Sequence, residues 1–586
     1  MAAVQIGSWK QYNEIRKTGI EFVPVILSDN YIFVGPSCRP VPESSCLGCL
    51  INSLRDNESF YYPLLKGLLT DGYRPYSGLD LEIECELVQS CEEDTDNRVH
   101  IISRGNMSVN SYPVYKHPAC EACVRNEKAD ETLRDLRPNY TFNKAFRIKT
   151  PEDIMNSREG YENLINPHTG IGQYLFRDID AKIMPMYFVK SDLAGREFYS
   201  YGRTSDLLHS KYAAIFEMLE RYSSLVPHTK NGLYGSYREL SEGGYEVLHP
   251  RQLVIPENML SAERGNYSDD QDYRWKKVLE FNSGKSVYLP EQVIYYDSQL
   301  ISKEKRFVHE TSNGCALGGS IEEAIVYALF ELVERDSFLV HWYNRIAPVK
   351  LDVSKIENDN IARLVQYMEN KGFRVHIFDI TMETKIPTIW TAIVDEEYHG
   401  RVKCYNAAGA HINPEKALEG ALVEAITSIF VYNNILESGK NVDLTEALTG
   451  APDRVKDMED HVYFYANQKN FSYIREFYEN ESVLEFKEVF ASWYRRKDKK
   501  YTFKELMERV SRYHPDIYIA YLYTDINRTL GLECVKMIIP SMLTMTFGNN
   551  NKRINYERVQ EGPVIAGLKS LPTLPDMIYD IPHPFP

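Results

Sequence analysis

The run SNGCALGGSIEEAIVYALFELVERDSF, residues 312–338, restricts what this chain can fold into more than any other. A loop holding Gly314, Gly318 and Gly319 leads into a segment with helical character. Ser320 stands at the N-cap position with Glu323 three residues on, which is capping-box spacing. Glu331 and Glu334 follow Glu323 by eight and eleven residues. At 100° per residue those steps are rotations of about 80° and about 20°, so one stripe carries three carboxylates. The neighbours are Ile325, Val326, Ala328, Leu329, Phe330, Leu332 and Val333, and a helix so apolar all round is a buried one. Carboxylates in such a setting need a cation or a metal to meet them.

The same grammar recurs. KYAAIFEMLER (211–221) echoes IVYALFELVER (325–335): each ends Glu-x-x-Glu-Arg, with Glu217, Glu220 and Arg221 in the first and Glu331, Glu334 and Arg335 in the second. A third relative, NAAGAHINPEKALEGALVEAITSIF (406–430), has a glycine turn, a helix, and Glu424 in the place of the first acid. Strand-like runs, FRVHIFDI and TIWTAIVD, lie between the second and third. The pattern predicts an α/β fold with helices packed on sheets. Acids at (i, i+3) with a following Arg can be surface salt-bridge decoration. The flanking Ile, Phe, Met, Leu and Val favour the other reading, in which buried helices aim carboxylates across a cleft to hold Mg²⁺ while the arginines meet phosphate oxygens. No GxxxxGK[ST] loop is present to do that work, and the GIGQ at residue 170 is no dinucleotide fingerprint.

At 586 residues, two or three domains are expected. A net charge of −16 without basic runs argues against nucleic-acid binding. No signal-type or membrane-spanning stretch is evident, which points to a cytoplasmic chain without membrane attachment. The ten cysteines are unevenly placed. Cys46 and Cys49 form one CxxC pair and Cys120 and Cys123 another, the usual way to offer four thiolates to a structural Zn²⁺. Cys38, Cys85 or Cys91 can stand in for one of them, and free thiols are the alternative. Between the pairs, residues 72–90 (GYRPYSGLDLEIECELVQS) alternate like a strand. The polar stretch from Asp130 to Asn156 sets a boundary, giving a small α+β zinc-binding module over 1–156 and a catalytic domain over 157–586.

These residues resemble the YcaO superfamily, specifically the azoline-forming cyclodehydratases of thiazole/oxazole-modified microcin and bacteriocin biosynthesis. The marks are Gly202–Arg203 followed by Glu217-x-x-Glu220–Arg221, SNGCALG with Glu323, Glu331, Glu334 and Arg335, the Glu424 helix, VKMIIP ending at Pro540, and the terminal PHPFP. The resemblance covers about residue 163 to 586. It implies that Arg203, Glu217, Glu220, Arg221, Glu323, Glu331, Glu334, Arg335 and Glu424 bind ATP and Mg²⁺. The implied reaction is cyclodehydration of Cys, Ser or Thr in a ribosomal precursor peptide, through phosphorylation of the backbone amide oxygen. The PxPxP tail would carry the carboxylate of Pro586 into the cleft as general base. Backbone thioamidation or amidine formation, and a non-catalytic docking scaffold, are the alternatives. Thr427 and Ile429 stand where relatives often have Gln and Arg, and Ala213 where some have Ser. The N-terminal module resembles the zinc-bearing part of a ThiF-like partner, too short to be a whole one. A separate leader-binding ThiF-like protein, a flavin-dependent azoline dehydrogenase and a second copy in a homodimer are the implied partners. His341, His411 and His583 are expected to be structural or surface residues.

Overall fold

The computed structural model describes all residues except 40–43, 71–81, 124–132, 134–135, 144–145, 182, 230–231, 254, 256–266, 399, 549–550 and 586. The N-terminal module is a five-stranded sheet in the order Ala2–Gln5, Phe22–Leu27, Tyr31–Val34, Arg98–Ser103, Val109–Pro113. Only its first pair is parallel. Successive side chains of a strand point to opposite faces, and strand Phe22–Leu27 is covered on both. Phe22 and Ile26 pack with helices Leu47–Asp56 and Tyr61–Leu69, while Val23, Val25 and Leu27 pack with Val88 and Cys91 beneath.

Val88 and Cys91 belong to a helix, Glu82–Glu92, and not to the strand that the alternation of residues 72–90 predicts. Its buried positions are Glu84, Val88 and Cys91, the i, i+4, i+7 set of one helix face. The period was hidden because one member is an acid: Glu84 is buried against Arg104, at 2.9 and 3.0 Å. Residues 72–81 of that run lie outside the described part.

The rest of the chain repeats one unit three times: a strand, a tight turn, and a long helix folded back on that strand. Strand Arg196–Arg203 precedes helix Leu207–Leu225, strand Cys315–Gly318 precedes helix Ile321–Tyr343, and strand Cys404–Ala410 precedes helix Pro414–Glu437. The first strand edges a three-stranded antiparallel sheet, the second a six-stranded sheet beside Glu533–Ile538, and the third a five-stranded sheet beside Thr388–Asp395. Two of the strand–helix contacts depend on a glycine in the strand. A Cβ on Gly202 would overlap the Ser210 carbonyl oxygen, and one on Gly409 the Ala417 carbonyl oxygen, so strand and helix meet at backbone distance.

The middle helix is the axis of the molecule. All but a few of its residues are buried, as its composition requires. Ser320 Oγ accepts from the Glu323 N–H at 3.3 Å, which is half of the expected capping box. Its C-terminal half joins Trp342, Phe338, Trp390 and Phe477 in the largest core. Residues 137–143 and 146–150, polar in sequence, are strapped across its N-terminus, with Thr141–Phe142 paired to Tyr501–Thr502 and Arg137 and Arg147 bound to Glu322 and Glu323. Among the described residues no helix is long and apolar enough to cross a membrane.

Candidate active site

The three long helices converge on a crevice made of two connected cavities, about 530 and about 660 Å³. They share Tyr201, Arg203, Glu217 and Glu424. Glu220, Glu331 and Arg335 line the first, and Glu334 the second. Each helix therefore sends its acids to the same place, as the repeated motif requires.

Short contacts fix each carboxylate. Glu217 accepts from Arg221 Nη2 at 2.7 Å through Oε1 and from the Tyr201 N–H at 2.5 Å through Oε2. Glu220 Oε2 accepts from the Leu317 N–H at 3.2 Å, and Glu331 Oε2 from the Gly314 N–H at 2.8 Å. Arg335 Nε lies 3.4 Å from Glu334, and Arg203 Nη1 lies 3.6 Å from Glu424. The loop that supplies Gly314 rests on a buried cation, Lys536, whose Nζ donates to the carbonyls of Thr311 at 2.9 Å and Asn313 at 2.6 Å.

The acids outnumber the cations, and their proton affinities register it. Burial pushes Glu220 up to about 8, with repulsion from Glu331 and Glu217 added. Burial, then Glu424 and Glu331, does the same to Glu334, again to about 8. Glu331 is raised as well, mainly by burial. A carboxylate cluster strained in this way fits a divalent hard cation, which takes several carboxylate oxygens at once.

Glu323 stands apart from this group. It lines neither cavity. Its Oε1 accepts from Arg147 at 2.8 Å and its Oε2 from the N–H groups of Ile148 at 2.9 Å and Gly319 at 3.3 Å. The capping position turns its carboxylate toward the strap and away from the stripe of Glu331 and Glu334. Thr427 and Ile429 are buried, Thr427 Oγ1 donating to the Val423 carbonyl at 2.7 Å. Between them Ser428 faces the crevice, 3.4 Å from Arg203 Nη1. Ser428 and the wall residue Tyr405 escaped the sequence reading, because neither residue type signals a site by itself.

Pro586 is outside the described residues. The tail before it is buried and held by its carbonyls: Trp342 Nε1 donates to Ile581 O at 2.9 Å, Tyr465 Oη to Pro582 O at 2.7 Å, and His461 Nδ1 to His583 O at 2.7 Å. Phe585 lies on Phe338, with centroids 3.9 Å apart. The His583 ring is 5.9 Å from Phe547, a crevice residue. His341, His411 and His583 are all buried, and His411 also lines the second cavity.

In the N-terminal module the sulfurs of Cys46, Cys49, Cys120 and Cys123 all lie within 4.8 Å of one another. Cys46 Sγ is 4.0, 3.6 and 3.2 Å from those of Cys49, Cys120 and Cys123. Four thiolates at ~2.3 Å from one tetrahedral ion would stand about 3.8 Å apart, so the cluster has the size of a zinc site. The buried Asp336, Glu383 and His514 also lie close together, but Arg558 already fills the space between them, 2.8 Å from Glu383.

Comparison with known proteins agrees with this geometry. A family model described as YcaO cyclodehydratase, ATP- and Mg²⁺-binding, matches residues 201–543. An uncharacterized protein of Methanothermobacter thermautotrophicus is 22% identical over 342 residues, 58% of this chain and 80% of its own length. The Microcin B17-processing protein McbD of Escherichia coli is 24% identical over 218 residues, 35% of this chain and 54% of its own. Among solved structures, a heterocyclase in complex with substrate and cofactor superposes with a TM-score of 0.70 at 19% identity, covering 100% of this chain and 81% of that one. The heterocyclase TruD gives 0.64 at 18%, covering 100% and 79%.

Proposed function

The chain belongs to the YcaO family of ATP- and Mg²⁺-binding cyclodehydratases, and from that premise we propose that it converts Cys, Ser or Thr residues of a ribosomal precursor peptide into thiazolines or oxazolines. The convergence of Glu217, Glu220, Glu331, Glu334 and Glu424 on one crevice carries this reading. The residues present fit Mg²⁺: these five acids would hold it, and when bound it would neutralise the triphosphate of ATP. Arg203 and Arg335, which line the same crevice, take phosphate oxygens. Arg221 holds Glu217 in place.

The side chain of the target residue attacks the preceding backbone carbonyl. That attack closes the ring and leaves the former carbonyl oxygen as an oxyanion, which takes the γ-phosphoryl group of ATP and releases ADP. The C–O bond then breaks, phosphate departs, and the amide nitrogen gives up its proton as the C=N bond of the azoline forms. Such transfer needs positioning and charge neutralisation above all, and the crevice offers both. The proton of the attacking group goes to the carboxylate of Pro586 as base; of the described tail before it, His583 lies against the crevice residue Phe547. An α-carboxyl is a weak base at roughly pKa 3.3–3.7 and needs burial to rise toward neutrality; because a general base acts in the transition state, its removal by truncation should lower kcat more than KM.

Cys46, Cys49, Cys120 and Cys123 hold a structural Zn²⁺ in a module akin to the zinc-bearing part of a ThiF-like protein. A separate leader-binding partner presents the peptide, and a flavin-dependent dehydrogenase completes azoles. The test is to supply Mg–ATP, partner and a Cys-containing candidate peptide, following phosphate release and peptide mass together. Loss of one water per modified residue supports the proposal. Phosphate release with retention of peptide mass, or exchange of oxygen for sulfur, overturns it.

A further inference from the structure

The connection between the two parts of the chain is more than a tether. The strap, residues 137–143 and 146–150, lies ahead of residues 201–543, where the family match falls, yet its Phe146 and Arg147 pack on His411 and Tyr327, two residues of the crevice wall. It is fixed at both ends of the acidic first turn of the middle helix. Arg137 grips Glu322 with Nε and Nη2, each at 2.7 Å, and Arg147 grips Glu323 at 2.8 Å. Between these two points Phe146 is fully buried and set edge-on to His411, with centroids 5.0 Å apart. His411 lines the second cavity, and so do Tyr327 and Lys416.

Arg147 is half-exposed, and its guanidinium carbon sits 3.6 Å from the centre of the Tyr327 ring. One nitrogen serves Glu323, and the rest of the fork lies beside Tyr327, a residue of the cavity wall. The cavity is thus polarised. Tyr327 precedes Glu334 by seven residues on one helix and Lys416 precedes Glu424 by eight on another, about 10 and about 12 Å at ~1.5 Å per residue. Glu334 and Glu424 therefore stand toward one end and Tyr327 and Lys416, with Arg147 over Tyr327, toward the other, with Glu419 between. Burial and the nearby Arg147 both lower the proton affinity of Lys416, so these two cations share a neighbourhood.

We propose that Arg147 is a nucleotide-binding residue supplied from outside the family's own domain, contacting the nucleoside end of the ligand. The inference rests on the crevice being the Mg–ATP site. If magnesium and triphosphate occupy the acidic end, the nucleoside extends toward Tyr327, where a planar guanidinium already seated on an aromatic face offers donors to ring nitrogens and ribose oxygens.

Calorimetric titration of the full chain with Mg–ATP and, separately, with Mg–tripolyphosphate tests the assignment. Arg147→Ala should weaken Mg–ATP binding roughly tenfold, the scale of one hydrogen bond to a charged group, and leave tripolyphosphate within twofold. Arg147→Lys, which keeps the charge but not the fork, should fall between the two. The thermal midpoint should stay near that of the parent, since Arg147 is half-exposed and Glu323 keeps its two backbone donors. Equal weakening for both ligands, or none for ATP, overturns the assignment while leaving the Mg–ATP site intact. Failure of the parent chain to bind Mg–ATP overturns both.

Discussion

At the scale of single residues, the crevice trades stability for a cation site. Glu220 and Glu334 are crowded by other carboxylates and by burial, and both resist ionisation. Replacing either with Gln keeps the shape and removes the repulsion. Glu220→Gln and Glu334→Gln should therefore raise the thermal midpoint of the metal-free chain, or leave it level, and lower Mg-dependent ATP turnover at least ~100-fold. Differential scanning calorimetry and a phosphate-release assay check the two halves, and a lowered midpoint would speak against crowding. These acids were legible in the sequence because Glu-x-x-Glu-Arg amid apolar residues has few other uses. The partner of Glu323 was not, since Arg147 is 176 residues away and nothing local marks the pair. Ser428 was hidden for a different reason: a serine on a helix carries no spacing signal, and only the position of Arg203 gives it a role.

At the scale of elements, the unit that matters is strand, glycine and helix. The echo between residues 211–221 and 325–335 shows in the letters, and the third copy shows in its glycine turn, so the repeat could be read before any coordinates. What could not be read is why the glycines are there. Gly409 brings strand Cys404–Ala410 against the backbone of helix Pro414–Glu437 at Ala417 and Ala421, on the helix that carries Glu424. Gly409→Ala should cost about 2 kcal/mol or more, as overpacking against backbone does, and chemical denaturation measures it. A variant as stable as the parent would mean the strand can shift without cost. The clustering of Cys46, Cys49, Cys120 and Cys123 was equally legible, since paired CxxC motifs have a narrow meaning. Stripping the proposed metal with a chelator should release zinc and lower the melting of the N-terminal module, whose core includes Cys46, Cys49 and Cys120. Helix Glu82–Glu92 was misread because the buried ion pair of Glu84 with Arg104 breaks the apolar pattern on which such readings depend.

At the scale of the whole molecule, the C-terminal tail and the strap close the structure around the middle helix from opposite ends, and the tail does so with neutral histidines. His461 donates through Nδ1 to His583 O, accepts through Nε2 from the Gly548 N–H at 3.2 Å, and stacks on the His583 ring at 4.3 Å. A proton on Nε2 would remove that acceptor and place a charge in the core. Burial holds His461 and His341 down to about 4 and His411 to about 3, with His583 lowered in the same sense. Each of these groups binds its proton more weakly folded than unfolded, where the value is roughly 6.5. The folded chain thus holds fewer protons below that pH, so stability falls as acid is added. The contribution is complete above about pH 6.5 and is lost progressively toward pH 4, with a limiting slope of about 1.4 kcal/mol per pH unit for each buried histidine. Glu383 extends the loss to lower pH, because His514 and Arg558 hold it near 2 despite its burial. Thermal midpoints between pH 7.5 and 4.5 should drop steeply on the acid side. His461→Asn, which keeps a donor for His583 O and cannot take up a proton, should flatten that drop while lowering the midpoint at pH 7. An unchanged acid profile in that variant would show that the tail clamp is not where the protons enter.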